Sequence, residues 1–221
     1  MTEEQDHSHT RHDGVSGETP IEVIATVSRI VTSVADRITG DRVETPLLVS
    51  AACAEALRAF GIESQVMYGQ AAWIEVLEDH SVVWAGCWGE NYSFWVATQY
   101  GEVVDLNVSV AYRKRAHSNP GWKPMFSPPM IWSAEVPGFY RYQPEGVAEL
   151  ELTDERDRRQ YELVLNEVRE KCTWENLRSQ EAQFANEPIL CPGRKLLDDS
   201  NQSFKKFDRA LGVKGIPEAP F

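Results

Sequence analysis

The sequence lacks the features that mark several large classes of protein. It has no strong cluster of Lys and Arg: the formal net charge is −12, and the longest basic run is Arg113-Lys114-Arg115. Nucleic-acid phosphates and anionic membrane surfaces require such clusters, so we expect neither as a partner. No window approaches the roughly 18 consecutive apolar residues of a membrane span. The acidic start, Met1-Thr2-Glu3-Glu4, is unlike a secretory signal, and we expect an acidic cytoplasmic protein.

The sequence also lacks the spacing of a disulfide framework or a zinc site. Its four cysteines are scattered without any C-x-x-C pair, which is typical of reduced thiols. Three histidines, His7, His9 and His12, lie close together in a polar start. A metal site needs preorganised ligands, which a flexible start does not supply. We expect no bound metal and no cofactor.

A chain of 221 residues that is 42% hydrophobic can bury a full core. We divide it into a polar N-terminal arm (1–18), a single domain (19–187) and a C-terminal tail (188–221). The tail should contain a short helix near residues 203–211. No internal repeat is present. The sequence therefore predicts one domain with two appendages.

The central predicted helix covers residues 46–60. Thr45 is a natural N-cap, Pro46 suits the first helical position, and Gly61 supplies the left-handed residue that ends a helix. Apolar residues recur at steps of three and four, which places them on one face; they are Val49, Cys53, Ala56, Leu57 and Phe60. We expect this face to lie against the strands that follow.

Two further helices flank this core. One covers residues 19–39, with Thr19 as its cap and Pro20 at the first position. The other is polar, covers residues 154–186 and has Thr153 as its cap. Both carry apolar residues at helical spacing, so we expect each to pack one face on the domain.

Strands are predicted at residues 64–69, 71–77, 81–88, 92–98 and 102–110. Residues 99–101 end in Gly101 and should form a hairpin turn between the last two. We expect an α+β fold with an antiparallel sheet and its helices on one side. Residues 111–147 contain six prolines and should be irregular.

The order of capped helix and strands resembles the papain-like cysteine proteinase superfamily, in its transglutaminase-like branch. The resemblance is carried by Ala54-Glu55-Ala56-Leu57-Arg58-Ala59-Phe60-Gly61-Ile62, Phe94-Trp95-Val96 and Val103-Val104-Asp105-Leu106. The sequence is similar also to a small bacterial family of unknown function that is assigned to that fold. The resemblance implies a nucleophilic cysteine at the start of the central helix, a histidine on a strand just before an aromatic-Val pair, and an aspartate on the next strand that orients the histidine.

The catalytic residues of that superfamily are mostly missing here. Counting back from Gly61 by the usual interval leads to Pro46 or Leu47, neither of which is a nucleophile. The position of the histidine falls on Tyr92 or Ser93. Asp105 alone remains. We therefore expect a small hollow between the helix start, residues 92–93 and Asp105.

Other residues could still assemble a catalytic site. Cys53 lies roughly 10 Å along the helix from its start, at about 1.5 Å per residue, on the apolar face. The site of an active enzyme would combine Cys53 or Cys87 with His80 or His117 and Asp105, because triads are defined by geometry and not by order. The alternative roles are structural: both cysteines as small buried residues, and Asp105 as a hydrogen-bond acceptor under the strand.

Three functions are open. The first is a pseudoenzyme with a cysteine-proteinase-like fold that serves as a binding or structural protein for an unknown protein or small molecule. The second is an active thiol hydrolase or acyltransferase with Cys53, His80 and Asp105 in an unusual arrangement. The third is an unrelated α+β fold with a small-molecule pocket. Candidate binding residues are Tyr92, Ser93, Trp95, Trp122 and Trp132. The aromatic residues between 122 and 132 could form a lid or cover the sheet.

Overall fold

The computed structural model describes residues 17–149, 152, 154–178, 189–191 and 202–221. Within these ranges the protein has an α+β fold. The helices are α1 (Ile21–Thr39), α2 (Pro46–Ala59), α3 (Tyr112–Ser118), α4 (Glu155–Lys171), α5 (Trp174–Arg178) and α6 (Gln202–Lys214). The strands are β1 (Ser64–Leu77), β2 (Val82–Cys87), β3 (Ser93–Thr98), β4 (Val103–Asp105), β5 (Pro124–Phe126), β6 (Met130–Ser133), β7 (Tyr140–Val147) and β8 (Ile189–Leu190).

Helix α2 has the predicted start and end. Thr45 is the N-cap residue without a side-chain capping bond, and Pro46 occupies the first turn. Gly61 ends the helix with a φ of 73°, and its N–H donates to the carbonyl of Arg58. The predicted apolar face is buried in one cluster with Val96 of β3 and Val104 of β4. Local sequence signals therefore place α2 against the sheet.

Helix α1 begins differently from the prediction. Pro20, not Thr19, is the N-cap residue. The hydroxyl of Thr19 donates to Oε2 of Glu102 at 2.5 Å, and its N–H donates to Oε1 at 3.1 Å. Glu102 also accepts from the Thr98 hydroxyl and from Nε1 of Trp132. A buried carboxylate thus ties the start of α1 to the β3–β4 hairpin.

Strand β1 is one continuous strand of 14 residues, where two strands were predicted. Residues 64–69 pair with β3 and residues 71–76 pair with β2. Residues 67–73 pair at the same time with β7, which therefore lies along the opposite edge. All these pairs are antiparallel, and β1 is the axis of the sheet.

The sheet continues from β3 through β4 and β6 to β8. The β6–β8 pair is parallel, so the sheet is mixed and not antiparallel throughout as predicted. Strand β4 ends at Asp105 and not at residue 110. The reason is local: the Asp105 carboxylate accepts the N–H of Asn107 and of Val108, which turns the backbone away from the ladder.

Residues 111–147 are more regular than predicted, since they contain α3, β5, β6 and β7. The prolines occupy positions that a sheet tolerates. Pro124 opens β5, and Pro144 faces Gly69 where the register of the β1–β7 pair shifts. Proline frequency alone was therefore a poor guide to this segment.

Both faces of the sheet are covered. Val96, Val104 and Trp132 belong to the cluster with α1, α2 and α4, whereas their neighbours Trp95, Val103 and Ile131 pack on the other side. That second side is covered by residues of β7 and by Phe207 and Leu211 of α6. Helices thus lie on both faces, and five described residues of the predicted tail, Ile189, Leu190, Cys191, Phe207 and Leu211, are buried in the core.

Helix α4 begins at Glu155 with Asp154 as its N-cap, whose carboxylate accepts the N–H of Arg156 and of Asp157. The predicted cap, Thr153, lies outside the described residues. The helix ends at Lys171, and the predicted continuation to 186 is interrupted before α5. Within the described ranges, no helix has the length and apolar character needed to cross a membrane.

Candidate functional site

A cavity of ≈ 330 Å³ lies where the start of α2, the turn after β4, strand β2 and helix α3 meet. Small-molecule sites begin at about 300 Å³, so this volume suits a metabolite-sized ligand. The residues that line it include Pro46, Glu75, Cys87, Tyr92, Ser93, Asp105, Asn107, Lys114 and Arg115. The sequence predicts a hollow between the helix start, residues 92–93 and Asp105, and the cavity lies there.

Asp105 forms one buried wall. Its Oδ1 accepts the N–H of Asn107 at 2.8 Å and of Val108 at 3.1 Å, and its Oδ2 accepts the Tyr142 hydroxyl at 3.0 Å. Burial raises the pKa of Asp105 to about 6, and these three donors oppose the rise. Asp105 therefore titrates near neutral pH and holds the turn after β4.

Asn107 supplies an acceptor without a partner. Its side chain is 7% exposed, and its Nδ2 donates to the carbonyl of Pro46 at 3.4 Å. Its Oδ1 has no hydrogen-bond partner among the described residues. Buried acceptors are nearly always paired with protein, water or ligand, so this unpaired oxygen is unusual and would gain from a hydrogen-bond donor.

Glu75 and Arg115 are organised by two tryptophans. Glu75 accepts Nε1 of Trp73 at 3.0 Å and Nε1 of Trp122 at 2.6 Å. Burial raises the pKa of Glu75, while the indole donors and the Arg115 charge oppose the rise. The Arg115 guanidinium lies 4.5 Å from the centre of the Trp122 ring, and its Nη2 donates to the carbonyl of Gly86. Arg115 is thus held in place at the cavity.

Cys87 is the one cysteine of the chain that is not buried. It lines the cavity, and Lys114 on α3 lines it too. Burial raises the pKa of the Cys87 thiol, the charges of Lys114 and Arg115 lower it, and Asp105 raises it. Because burial is the largest effect, the thiol is less acidic than an ordinary cysteine.

Cys53 and the two histidines do not meet at this cavity. Cys53 is 1% exposed inside the core, and burial raises its pKa, with smaller contributions from Cys172 and Asp105. His80 is exposed in the turn between β1 and β2, with a φ of 64°. His117 lies 3.7 Å from a carboxylate oxygen of Glu44 on the surface. Among the described residues, no histidine lines the cavity.

The predicted binding residues divide into two groups. Tyr92 and Ser93 line the cavity, and Trp122 lies beside it through its bond to Glu75. Trp95 and Trp132 are each 2% exposed and belong to the two core clusters. They therefore stabilise the sheet and have little surface to offer to a ligand.

Sequence analysis missed Asn107, Lys114 and Arg115. A signal for the first was the Asp-x-Asn spacing after β4, since an aspartate that turns the chain brings the following side chains to the same edge. The signal for the other two was the basic run in an otherwise acidic chain. Among the described residues there is no group of three or more His, Cys, Asp or Glu that could hold a metal ion. His7, His9 and His12 lie outside those residues.

No family model and no curated protein matches this chain. One solved structure, the crystal structure of genomics APC5867, is similar with a TM-score of 0.38 and 15% identity. The match covers 69% of this chain and 82% of the other. A TM-score this low carries no argument about fold family or function.

Proposed function

We propose that the protein is a non-catalytic binding protein with a cysteine-proteinase-like fold, and that the cavity at the start of α2 binds a small molecule. One observation carries the proposal. Pro46, Tyr92 and Ser93 line the cavity, and the sequence resemblance puts the nucleophile of that superfamily at Pro46 or Leu47 and its histidine at Tyr92 or Ser93. On this proposal the cavity corresponds to the superfamily's cleft, with neither a cysteine nor a histidine at the two catalytic positions.

The remaining polar groups favour binding over catalysis. Asp105 would orient a catalytic histidine in that superfamily, but here it accepts from two backbone N–H groups and from Tyr142. The Glu75 carboxylate accepts hydrogen bonds from two indole N–H groups. A general base must reach the proton that it removes, and both carboxylates are already engaged in structural hydrogen bonds.

The alternative is a thiol hydrolase or acyltransferase that uses Cys87. It is favoured by one observation: the thiol lines the cavity together with Lys114 and Arg115, whose positive charges oppose the larger rise in its pKa that burial causes. Nucleophilic cysteines also need a base within hydrogen-bond reach, often an imidazole. None of the described histidines lines this cavity.

Protection of Cys87 from alkylation by a bound ligand, measured together with turnover, distinguishes a binding protein from a thiol hydrolase or acyltransferase. We would treat the folded protein with iodoacetamide and screen a library of metabolites for compounds that slow the alkylation of Cys87 and raise the melting temperature. In parallel, a panel of acyl esters and amides would be assayed for turnover. Binding without turnover supports the proposal. Turnover that Cys87→Ala abolishes in a folded variant would establish the alternative, and the same result with Cys53→Ala would identify that thiol instead.

A further inference from the structure

We infer that the ligand is a small organic monocarboxylate with an N–H or O–H donor at its other end. This inference rests on the proposed function, because it names what the cavity at the start of α2 would bind. The carboxylate would lie against Arg115 and Lys114 of α3, and the donor would reach Oδ1 of Asn107.

Arg115 and Lys114 form a cationic part of the cavity lining that can bind an anion. Arg115 is fixed by its contact with the Trp122 ring and by its bond to the Gly86 carbonyl. Within the described part of the chain, neither Arg115 nor Lys114 forms an ion pair with a carboxylate. A guanidinium presents several N–H donors in a plane, which matches the two oxygens of a carboxylate. The remaining donors of Arg115 are available for that purpose.

Asn107, on another part of the cavity lining, offers an acceptor to a ligand donor. Asn107 is more than nine-tenths buried, lines the cavity, and has Oδ1 without a partner among the described residues. Its Nδ2 is oriented by the carbonyl of Pro46, which leaves Oδ1 as the free atom of the amide. Leaving such an oxygen unpaired is costly, so a ligand that donates to it gains more than one that presents only carbon.

Charge restricts the ligand further. The carboxyl groups of Glu75 and Asp105 line the same cavity, and the whole chain carries a net charge of −12. A phosphate monoester with nearly two negative charges would meet more repulsion than a carboxylate with one. The apolar lining, which includes Trp73, Ala85 and Val108, suits a short hydrocarbon between the two polar ends.

Three matched ligand series test the inference by calorimetric titration of the full chain. They are ω-hydroxy carboxylates, unsubstituted carboxylates and α,ω-diols, each with chains from three to eight carbons. We expect a hydroxy carboxylate of one length to bind. The acid and the diol of that length should bind roughly tenfold more weakly or worse, as expected for the loss of a hydrogen bond to a buried or charged group.

Substitutions test which residue binds each end of the ligand. Asn107→Leu should remove the advantage of the hydroxy carboxylate over the plain acid, and Arg115→Met should weaken both acids by about tenfold or more. Arg113→Met is the matched control, because Arg113 is on the same helix, pairs with Asp41 and does not line the cavity. Thermal unfolding would verify that each variant is folded, and Arg115→Met tests the inference even if Asn107→Leu unfolds.

Each contrary result has a distinct meaning. Equal binding of the acid and the hydroxy acid, or of the diol and the hydroxy acid, overturns the inference. So does unchanged binding to folded Arg115→Met. If all three series fail while another metabolite protects Cys87, the ligand class is wrong and the proposed function stands. If no metabolite protects Cys87, the proposed function itself fails.

Discussion

Three buried carboxylates illustrate how single residues hold this fold together. Glu102 accepts from Thr19, Thr98 and Trp132; Glu75 accepts from two tryptophans; Asp105 accepts from a turn and from Tyr142. A buried charge is tolerated only where donors replace water. Each of these carboxylates joins segments that are distant in sequence. Both the free-energy cost of burying the carboxylate and the hydrogen bonds that offset it therefore arise only in the tertiary structure.

Asp105 should make stability depend on pH in an unusual direction. Its pKa in the folded protein is about 6, above the ordinary value of 3.8, so the folded state binds the proton more tightly than the unfolded state. The stabilisation of the folded state by Asp105 is fully present below the pKa of the unfolded state, and it is lost as pH rises through the pKa of the folded state. Asp105→Asn cannot ionise and keeps an acceptor for the turn.

We therefore expect Asp105→Asn to gain stability relative to the natural protein, by roughly 2.4 kcal/mol, as pH rises from about 4 to about 8. Urea unfolding of both proteins at the two pH values measures the change. The exposed Glu63→Gln is the control and should show little difference. Parallel stability curves for Asp105→Asn and the natural protein would contradict the assignment.

Cysteine exposure predicts a selective reaction. Cys53, Cys172 and Cys191 are at most 3% exposed, whereas Cys87 lines the cavity. Iodoacetamide should label Cys87 first in the folded protein, and more slowly than a free thiol because burial raises its pKa. Peptide mapping by mass spectrometry identifies the site. All four cysteines should react in urea, and early labelling of Cys53 in native protein would be inconsistent with the packing of α2.

At the scale of elements, β1 pairs with strands on both of its edges, and its backbone lies very close to that of β7. Gly69 has a φ of 157°, and a Cβ there would lie 2.2 Å from the carbonyl oxygen of Gln143 in β7. No side chain fits at that distance. The shift of register between β1 and β7 occurs at this same position, so a glycine permits the irregularity.

Gly69→Ala should destabilise the protein by roughly 2–4 kcal/mol, through strain and the displacement of β7. Gly138→Ala is the matched control, since nothing lies within 4 Å of its added Cβ. That control should stay within about 0.5 kcal/mol of the natural protein. Chemical denaturation gives both values, and similar values for the two variants would argue against the tight β1–β7 pair.

At the scale of the whole molecule, the C-terminal residues complete the core. Phe207 of α6 is fully buried, and its ring centre lies 5.3 Å from that of Phe139. Strand β8 adds to the edge of the sheet beside β6. Without α6, the part of the second face that Phe207 and Leu211 cover would be open to water.

Phe207→Ala should therefore cost about 3–5 kcal/mol of unfolding free energy, as for other large buried aromatics. Val213→Ala on the same helix is the control, because Val213 is 82% exposed and should change little. Thermal and urea unfolding measure both. A small effect of Phe207→Ala would mean that α6 does not pack on the sheet in solution.

The sequence by itself determined the features that depend on near neighbours. The limits of α2 follow from Thr45, Pro46 and Gly61, and its buried face follows from apolar residues three and four apart. The α+β class followed from the same local patterns. Each of these signals acts within a turn or two of chain, which is the range over which side chains bias the backbone.

Only the tertiary structure decided which distant segments pair. Strand β7 forms because residues 140–147 pair with the free edge of β1, where Pro144 lies opposite Gly69 and a Cβ on that glycine would be 3.0 Å from the Cα of Pro144. The cavity likewise brings Asn107 from the turn after β4 together with Arg115 from α3 and with Pro46 from α2. Such contacts join residues far apart in the chain, and local propensity does not encode them, since their energy exists only once both partners are in place.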